Sequence, residues 1–506
     1  MLRQKVGRLV EEAVREMRRA GSLTAASEAV APVVGRARSE EHGDFTTNFA
    51  LAAAKAEGKP PREIASLLAR SLSGHPDIES AEAAGPGFVN IRMRPAAWVD
   101  GLDAPIAAGD RWGRRAPGEA GGERILVEFV SANPTGPLHV GHGRGAVLGD
   151  SLVRCLRAAG HAAAAEYYWN DRGRQVAELG RSISIRVRES AGRLQAPPED
   201  GNWYRGDYVR DLVPLLASAP TFAPEVAHSP GDPAAALADL PESDPRFAAF
   251  GVEKMKSRIA ATLERLRVRF DAMSSESDVA GPGDEAIRAL AERLVRDGNA
   301  EERDGALFLR TAGREKDDKD RVFRKSGGEW TYFATDLLYH DGKFRRGFER
   351  LIDVWGADHH GYIARMRAGL GALGRPPQAL EILLVQMVNL TAGGKPVRMS
   401  KRSGDFVTLD ELIDDVGVDA ARYVFLTRRH DSQLEFDVEL VKKRSLDNPV
   451  FYAQYGHARL ASILRRGAAL PADSCVPEGA RTAVAAALGI GDGPTPPPEA
   501  LAGTVP

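Results

Sequence analysis

Residues 125–143 read ILVEFVSANPTGPLHVGHG, and this stretch decides the fold class. The run 125–130 is apolar except for Glu128, a composition typical of a strand buried on both faces. A Gly-rich turn and a helical pattern over 141–159 follow it. Further strands are predicted at 162–168, 351–355 and 382–388. Strands that alternate with helices indicate an α/β fold built on a parallel sheet with helical crossovers.

The composition indicates a globular protein and excludes several other classes. The chain has 506 residues, enough for three domains of about 150 residues each. With 27% charged residues and a net charge of -2, it has no global basic field for nucleic acid. Two cysteines, Cys155 and Cys475, are too few for a disulfide framework or a cysteine-based zinc site. No apolar run approaches the roughly 18 residues of a membrane span, and no signal-peptide core begins the chain, so we expect a cytoplasmic protein without membrane contact.

Two histidines, His139 and His142, lie three positions apart where a helix is predicted to start. Ligands of open α/β sheets bind at the carboxyl edge of the strands, and a helix N-terminus attracts anions through its amides and dipole. Gly141 allows close approach of the backbone to a ligand. The pattern therefore predicts a phosphate site. Two other interpretations remain open, a pair of metal ligands and a pair of structural histidines.

Two later segments carry further polar residues in a similar context. The run RMSKR at 398–402 lies among glycines, and a lysine such as Lys401 on a mobile loop is suited to closing over a reacting phosphate. A solvated surface loop is the alternative. The run WGADHHG at 355–361 places Asp358 at the end of a predicted strand, where a carboxylate can bind ribose hydroxyls. An ordinary turn carboxylate is the alternative there.

Two carboxylates, Glu128 and Asp336, lie in apolar or aromatic surroundings. An unpaired charge inside a buried strand is costly, and a cationic ligand at Glu128 would offset that cost. An internal salt bridge to an arginine or lysine would offset it equally well.

The histidine segment and the RMSKR segment, in this order, resemble the ATP-handling signatures of class I aminoacyl-tRNA synthetases, which are written HIGH and KMSKS. Arg398 replaces the first lysine of the second signature and keeps its charge. A closer resemblance, to arginyl-tRNA synthetases, runs from about residue 40 to about residue 465. It includes runs at 127–137, 168–175, 317–322, 331–340 and 447–459.

The resemblance implies roles for particular residues. It implies that the catalytic residues are His139, His142 and Lys401. The ATP-binding residues it implies are Gly141, Asp358, Met399 and Ser400, and the arginine-binding residues are Glu128, Ser131, Asn133, Tyr332 and Asp336. A pocket with carboxylates suits a guanidinium, a planar cation that carboxylates bind in bidentate fashion. ATP with Mg²⁺ is expected as a substrate, with no tightly bound cofactor and no metal held by the protein.

The activity implied by the resemblance is ligation of L-arginine to tRNA(Arg) through arginyl-adenylate, with release of AMP and pyrophosphate. The implied partners are tRNA(Arg), L-arginine and ATP, and we expect a monomer. Two competing functions remain. One is nucleotidyl transfer to a smaller acceptor. The other is a catalytically impaired, synthetase-like protein that binds tRNA, which a short C-terminal region would favour.

The domain boundaries are expected as follows. The resemblance implies an α+β domain at 1–105 that contacts the tRNA elbow, a connector at 106–123, and a Rossmann-type catalytic domain at 124–410 with an insertion around 175–310. A truncated helical anticodon-binding domain is expected at 411–468 and an Ala/Pro-rich tail at 469–506.

Overall fold

The structure is a computed structural model that describes residues 2–116, 118, 122–196, 198, 201–227, 232–396 and 407–468. The chain divides into two compact units. Among the described residues, one unit contains those up to Trp112 together with residues 461–468, and the other contains those from Gly113 to Leu460.

The described residues form fifteen strands, which are β1 Val34–Arg36, β2 Phe45–Thr47, β3 Ile78–Ala84, β4 Phe88–Met93, β5 Arg124–Glu128, β6 Ala162–Trp169, β7 Ala272–Ser275, β8 Ala300–Arg303, β9 Ala306–Leu309, β10 Arg321–Arg324, β11 Arg350–Gly356, β12 Leu380–Val385, β13 Val388–Ala392, β14 Lys395–Pro396 and β15 Leu434–Asp437. They also form eighteen α-helices, which are α1 Leu2–Arg19, α2 Phe49–Glu57, α3 Pro61–Ser73, α4 Pro95–Ala108, α5 Val140–Ala158, α6 Arg174–Ser190, α7 Asp207–Arg210, α8 Ala223–Ala227, α9 Pro233–Leu237, α10 Pro245–Arg265, α11 Glu276–Ala280, α12 Glu285–Arg296, α13 Tyr332–Arg345, α14 Ile363–Ala372, α15 Leu409–Val416, α16 Val418–Phe425, α17 Val438–Lys442 and α18 Pro449–Ala468.

The N-terminal unit is an α+β fold, as predicted. Its four-stranded antiparallel sheet has the order β1-β2-β4-β3. Apolar residues on α1 recur every three or four positions, and this stripe is buried in the core of the unit.

The larger unit contains the predicted parallel sheet, five strands in the order β12-β11-β5-β6-β7. Strand β5 connects through α5 to β6 on one side, whereas its other neighbour, β11, connects through α14 to β12 in the opposite direction. The strand order therefore reverses between β5 and β11. A crevice opens at such a switch point, beyond the carboxyl ends of the strands, and ligands bind there.

Alternate residues of β5 belong to different cores. Ile125 and Val127 pack in a core with residues of α5, while Leu126 packs with residues of α13 and α14 on the other face. Glu128 has the same parity as Leu126, so it points towards α13. The parallel register pairs Glu128 with Asp353 of β11, which places two acidic residues side by side under that helix.

Strand β5 ends two residues earlier than the apolar run predicts. Val130 and Ser131 have φ angles of 69° and 38°, a left-handed conformation that a β-branched residue rarely adopts and that ends the strand. The turn brings the Ser131 hydroxyl back to donate to the Glu128 carboxylate at 2.7 Å. This strained turn directly precedes the predicted phosphate site.

Two regions of the chain pack differently from a simple reading of their sequence. Residues of α15, α16, β15 and α17 lie in the same core as β5 and α5, although 411–468 reads as the start of a separate helical domain. The first part of the insertion, residues 179–255, has a core of its own, which includes Tyr208, Phe222 and Phe247. The domain boundaries themselves stay a prediction, and the predicted tail at 469–506 lies outside the described residues.

None of the helices in the described part of the chain has the length and apolar character needed to cross a bilayer.

Two glycines of α5 provide a test of how this helix packs on β5. A Cβ at Gly149 would lie 2.1 Å from the Phe129 ring, whereas a Cβ at Gly145 would meet only a Val354 methyl group at 3.9 Å. We expect Gly149→Ala to lower the free energy of unfolding by about 1–3 kcal/mol, the usual cost of overpacking. Gly145→Ala, the matched control, should be neutral or stabilising by about 0.5–1 kcal/mol, since alanine is the better helix former. Urea unfolding followed by circular dichroism measures both, and equal stabilities would contradict this packing.

Candidate active site

The two predicted phosphate-binding histidines form the first turn of α5. His139 is the N-cap, and its Nδ1 accepts a hydrogen bond from the Gly141 amide at 3.1 Å. His142 Nδ1 accepts from the His139 amide at 3.2 Å, and the two rings stack with centroids 3.7 Å apart. Because each Nδ1 accepts a hydrogen bond, a neutral ring carries its proton on Nε2. The Nε2–H of His142 is therefore a donor.

Both histidines are held neutral. Burial lowers the pKa of His139, and burial together with the neighbouring His139 lowers the pKa of His142 to about 3. The site therefore offers phosphates neutral hydrogen-bond donors from these rings, and not imidazolium charges.

The first backbone amides of α5 have partners inside the protein, which corrects the expectation that they face a ligand. Val140 donates to the Val407 carbonyl at 3.3 Å, and Gly141 donates to His139. A Cβ at Gly141 would lie 2.9 Å from the His139 ring, so this position is glycine because the imidazole packs over it.

A cleft of about 260 Å³ opens beside His142. The loop that contains Asn133 lines one side, and Tyr204 and Tyr208 of the insertion line the other. The Tyr208 hydroxyl donates to the Thr135 carbonyl at 2.9 Å and so ties the insertion to this loop. The structure thus places Asn133 and His142 on one cleft.

Glu128 has an internal cationic partner, the alternative that its sequence context left open. Lys343 of α13, fully buried, donates to Glu128 Oε2 at 2.5 Å and to Asp353 Oδ1 at 3.1 Å. Burial raises the pKa of Glu128, yet Lys343 and Ser131 both donate to its oxygens, so the geometry is that of a carboxylate. Burial lowers the pKa of Lys343, but Asp353 and Glu128 outweigh burial and raise it.

Asp336 joins the same network through His340. His340 Nε2 lies 2.7 Å from Asp353 Oδ2, while Nδ1 lies 2.8 Å from the Asp336 carbonyl and 3.2 Å from its Oδ1. Burial and Lys343 lower the pKa of His340, but Asp353 and Asp336 outweigh them and raise it to about 10. In turn, Lys343 and His340 overcome the burial of Asp353 and lower its pKa to about 2.

Several polar groups converge next to this network. Burial and the nearby carboxylates of Glu276, Asp336 and Glu128 raise the pKa of the Tyr168 hydroxyl. This hydroxyl oxygen is buried and has no hydrogen-bond partner among the residues that the structure describes. Tyr332 is the first residue of α13, one turn before Asp336, and is 58% exposed. Buried polar groups are normally paired, so an unpaired hydroxyl among carboxylates points to a missing polar ligand.

Of the remaining predicted site residues, Asp358 lies in the described part of the chain. Asp358 is on a 3₁₀ helix, Ala357–Tyr362, that follows the carboxyl end of β11, and its side chain is 82% exposed. Met399, Ser400 and Lys401 lie outside the described residues.

The first described residues after the RMSKR segment contact the strand-to-helix turn that contains His139. Thr408 pairs with His139 in an isolated β-bridge, and the Leu409 amide donates to the Leu138 carbonyl at 2.7 Å.

One group of side chains has the composition of a metal site, namely Glu128, His340 and Asp353. The Lys343 ammonium lies within 3.4 Å of each of them. A fixed cation already occupies the position that a metal ion would need, so this group does not fit a metal.

Five residues of this site are absent from the sequence predictions, namely Tyr168, Glu276, His340, Lys343 and Asp353. Tyr332, Asp336, His340 and Lys343 recur at steps of four, four and three, which places them on one face of α13. The sequence contains this spacing of polar residues at one helix face, and it could have indicated that the four side chains act together. Glu276, which begins α11, has no comparable signal.

Two family models match the chain. One describes the arginyl-tRNA synthetase N-terminal domain and matches residues 4–93, and the other describes the catalytic domain of class I (R) tRNA synthetases and matches residues 113–194. An arginine–tRNA ligase of Nitratidesulfovibrio vulgaris (strain DSM 19637 / Miyazaki F) is 47% identical over 434 residues, which cover 85% of this chain and 75% of the relative. The chain belongs to the arginyl-tRNA synthetase family.

Other relatives agree with this membership. The arginine–tRNA ligase of Syntrophotalea carbinolica is 48% identical over 440 residues, covering 85% of this chain and 76% of that one. The solved arginyl-tRNA synthetase of Thermus thermophilus superposes with a TM-score of 0.59 at 22% identity and covers 96% of this chain and 86% of that chain. At that identity it shows the shared fold alone. The predicted enzyme class, a ligase that forms aminoacyl-tRNA with arginine, is confirmed by the family.

The opposite charge states of His142 and His340 are directly measurable. We expect nitrogen-15 NMR of histidine-labelled protein at pH 7 to show His142 as a neutral ring and His340 as an imidazolium. Because the pKa of His142 in the folded state, about 3, lies below the value near 6.5 of an unfolded chain, acid favours unfolding through this group. Its contribution to stability is present above pH 6.5 and is lost as the pH falls towards 3. Titration of His142 near pH 6.5 in the folded protein would contradict this description.

Proposed function

We propose that this chain ligates arginine to tRNA(Arg) at the crevice between β5 and β11, in two steps through arginyl-adenylate. The observation that carries the site assignment is the unpaired, buried Tyr168 hydroxyl among the carboxylates of Asp336, Glu276 and Glu128, beside a helix that begins with two neutral histidines. One part of the crevice suits a multidentate cation, and the other suits phosphates.

Asp336 and Glu276 supply the carboxylates for the guanidinium, with Tyr168 and Tyr332 beside them. A guanidinium has five N–H donors in one plane, and a carboxylate binds two of them at once. Glu128 already accepts from Ser131 and Lys343, but each carboxylate oxygen accepts two hydrogen bonds, so it retains capacity for a ligand. Ser131 and Asn133 belong to the loop between this pocket and His142, and we assign them to the backbone end of the arginine.

In the first step an oxygen of the arginine carboxylate attacks the α-phosphorus of ATP, and pyrophosphate leaves. Negative charge builds up on the phosphate oxygens, and preorganised donors that meet this charge lower the barrier. We assign this role to His139 and His142. In the second step a ribose hydroxyl at the tRNA 3′ end attacks the carbonyl carbon of the adenylate, and AMP leaves.

Lys401 supplies positive charge from the segment that precedes Val407, with Met399 and Ser400 beside it. Lys401 is six positions before Val407, a span of about 20 Å at most in extended chain, and Val407 bonds to the first residue of α5. The lysine is therefore within chain reach of the histidines. Gly141 packs beneath His139, and Asp358 follows the neighbouring strand, where its carboxylate is assigned to the ATP ribose.

Mg²⁺ enters with ATP and screens its phosphates. The described residues offer it no cage, because Lys343 occupies their one acid–histidine cluster. The proposal includes a cytoplasmic monomer whose N-terminal domain contacts the tRNA. Neither nucleotidyl transfer to a small acceptor nor a catalytically impaired tRNA-binding role has an observation in its favour.

His142→Ala tests the phosphate role. Removing one preorganised transition-state donor should lower the rate of arginine attachment to tRNA by about a hundredfold to a thousandfold. The arginine KM should stay within about twofold, because His142 does not face the guanidinium. Attachment of radiolabelled arginine to tRNA measures both quantities, and an unchanged rate would remove His142 from the mechanism.

Asp336→Asn tests the guanidinium role. Loss of a charge-assisted hydrogen bond costs about 1.5–3 kcal/mol, so the arginine KM should rise about tenfold to a hundredfold. The ATP KM should change much less. Asp358→Asn is a matched control on the other side of the crevice, and there the ATP KM should change more than the arginine KM. Equal weakening of both substrates by Asp336→Asn would refute the assignment.

A further inference from the structure

Behind the arginine pocket proposed above lie two buried cations, His340 and Lys343, to which the reaction assigns no role. His340 is 1% exposed and Lys343 is fully buried. A buried charge without a partner is costly, and replacing buried ion pairs by apolar side chains often leaves stability unchanged or improves it. Stability alone is therefore a weak explanation for the charges of His340 and Lys343.

The geometry around His340 determines its charge independently of any titration. Nε2 lies 2.7 Å from a carboxylate oxygen of Asp353, closer than the Lys343 ammonium at 3.4 Å, and Nδ1 faces both a carbonyl and a carboxylate oxygen of Asp336. Carbonyl and ionised carboxylate oxygens only accept hydrogen bonds, so both ring nitrogens must donate. His340 is consequently an imidazolium whose orientation is fixed from both sides.

Lys343 is fixed in the same way. Its ammonium bonds to Glu128 and Asp353 and lies 4.5 Å from the centre of the Tyr339 ring. Nearby, Glu166 forms an ion pair with Arg346 at 2.7 Å, so its charge is neutralised there and is left out of the count that follows. The hydrogen-bonded network thus contains three carboxylates, those of Glu128, Asp336 and Asp353, and two cations. Glu276, the other carboxylate assigned to the guanidinium, bonds to Thr335 and is counted outside this network. One positive charge is missing for neutrality.

We infer that His340 is a positioning residue for arginine, which orients the Asp336 carboxylate for the guanidinium, and that the arginine side chain supplies the missing positive charge of the buried network. The inference rests on the arginine pocket of the proposed function. It explains why two fixed cations lie beneath a pocket for a cation. They hold the carboxylates in place without neutralising them completely.

The test is a double-mutant cycle between His340 and Asp336, with the arginine KM as the readout. In His340→Gln the amide takes the approximate position of Nε2, so the contact with Asp353 can persist while the donor to Asp336 is lost. We expect the arginine KM to rise about tenfold or more, as for loss of one charge-assisted hydrogen bond, with the ATP KM within about twofold. In the Asp336→Asn background the same exchange should add less than about twofold, since residues that act through one another are not additive.

Two further measurements separate positioning from damage to the fold. Inhibition by citrulline, in which a neutral urea replaces the guanidinium, should be unchanged in His340→Gln, whereas a distorted pocket would weaken both ligands. His340→Asn places its amide near Nδ1 and should keep most of the arginine affinity. His75→Gln, in the other compact unit, is the matched histidine exchange and should leave the arginine KM unchanged.

The outcomes distinguish the inference from the function on which it rests. If Asp336→Asn itself leaves the arginine KM unchanged, the proposed pocket fails, and this inference fails with it. If Asp336→Asn raises the KM and His340→Gln does not, only the inference is overturned. An equal effect of His340→Gln in both backgrounds would also overturn it, because His340 would then act independently of Asp336. If His340→Gln does not fold, the cycle is run with His340→Met, which also removes the donor to Asp336, and the contrast between arginine and citrulline decides.

Discussion

The parallel register of β5 and β11 places the Glu128 carboxylate beside that of Asp353 inside a buried sheet, and the ammonium of Lys343 lies between them. Two carboxylates in that environment repel each other and lose their hydration, so a cation at hydrogen-bonding distance is a condition of the fold. Lys343 comes from α13, and the helix is therefore held at one height and one rotation over the sheet. The positions of Asp336 and Tyr332 on the same helix follow from this anchoring.

In the proposed function, the two parts of the crevice use different electrostatics for different ligands. The phosphate side is built around rings that burial keeps neutral and that their hydrogen bonds to backbone amides orient. The guanidinium side is built around fixed charges whose sum favours one more cation. The neutral histidine rings do not compete with the arginine for the carboxylates. The buried network keeps a net negative charge, which attracts the guanidinium. The short loop that begins at Ser131 connects the two parts, and it starts with the left-handed turn at Val130 and Ser131.

Local patterns predicted much of the architecture because they reflect local causes. Four strands of the parallel sheet, β5, β6, β11 and β12, and the helix after β5 follow from the pattern of apolar residues, and the structure confirms them. The predicted end of β5 was wrong by two residues. Val130 is apolar and β-branched, yet it adopts a turn conformation that only its surroundings impose. Residues of α15 and α16 read as the start of a separate helical domain but pack in the sheet core, since amphipathic helices do not specify the surface that they cover.

The sequence by itself determined the class of fold and the family, and it predicted roles for the histidine pair and Asp336, because these depend on residue type and spacing along the chain. Only the tertiary structure decided what those residues contact. It showed that the amides of α5 bond internally and that Glu128 pairs with Lys343, and it brought Glu276 and Tyr168 close to Asp336. Lys343 is 215 positions from Glu128, and Glu276 is 60 positions from Asp336. Such pairs meet through strand order and register, which arise from the packing of the whole unit and leave no mark on either segment alone.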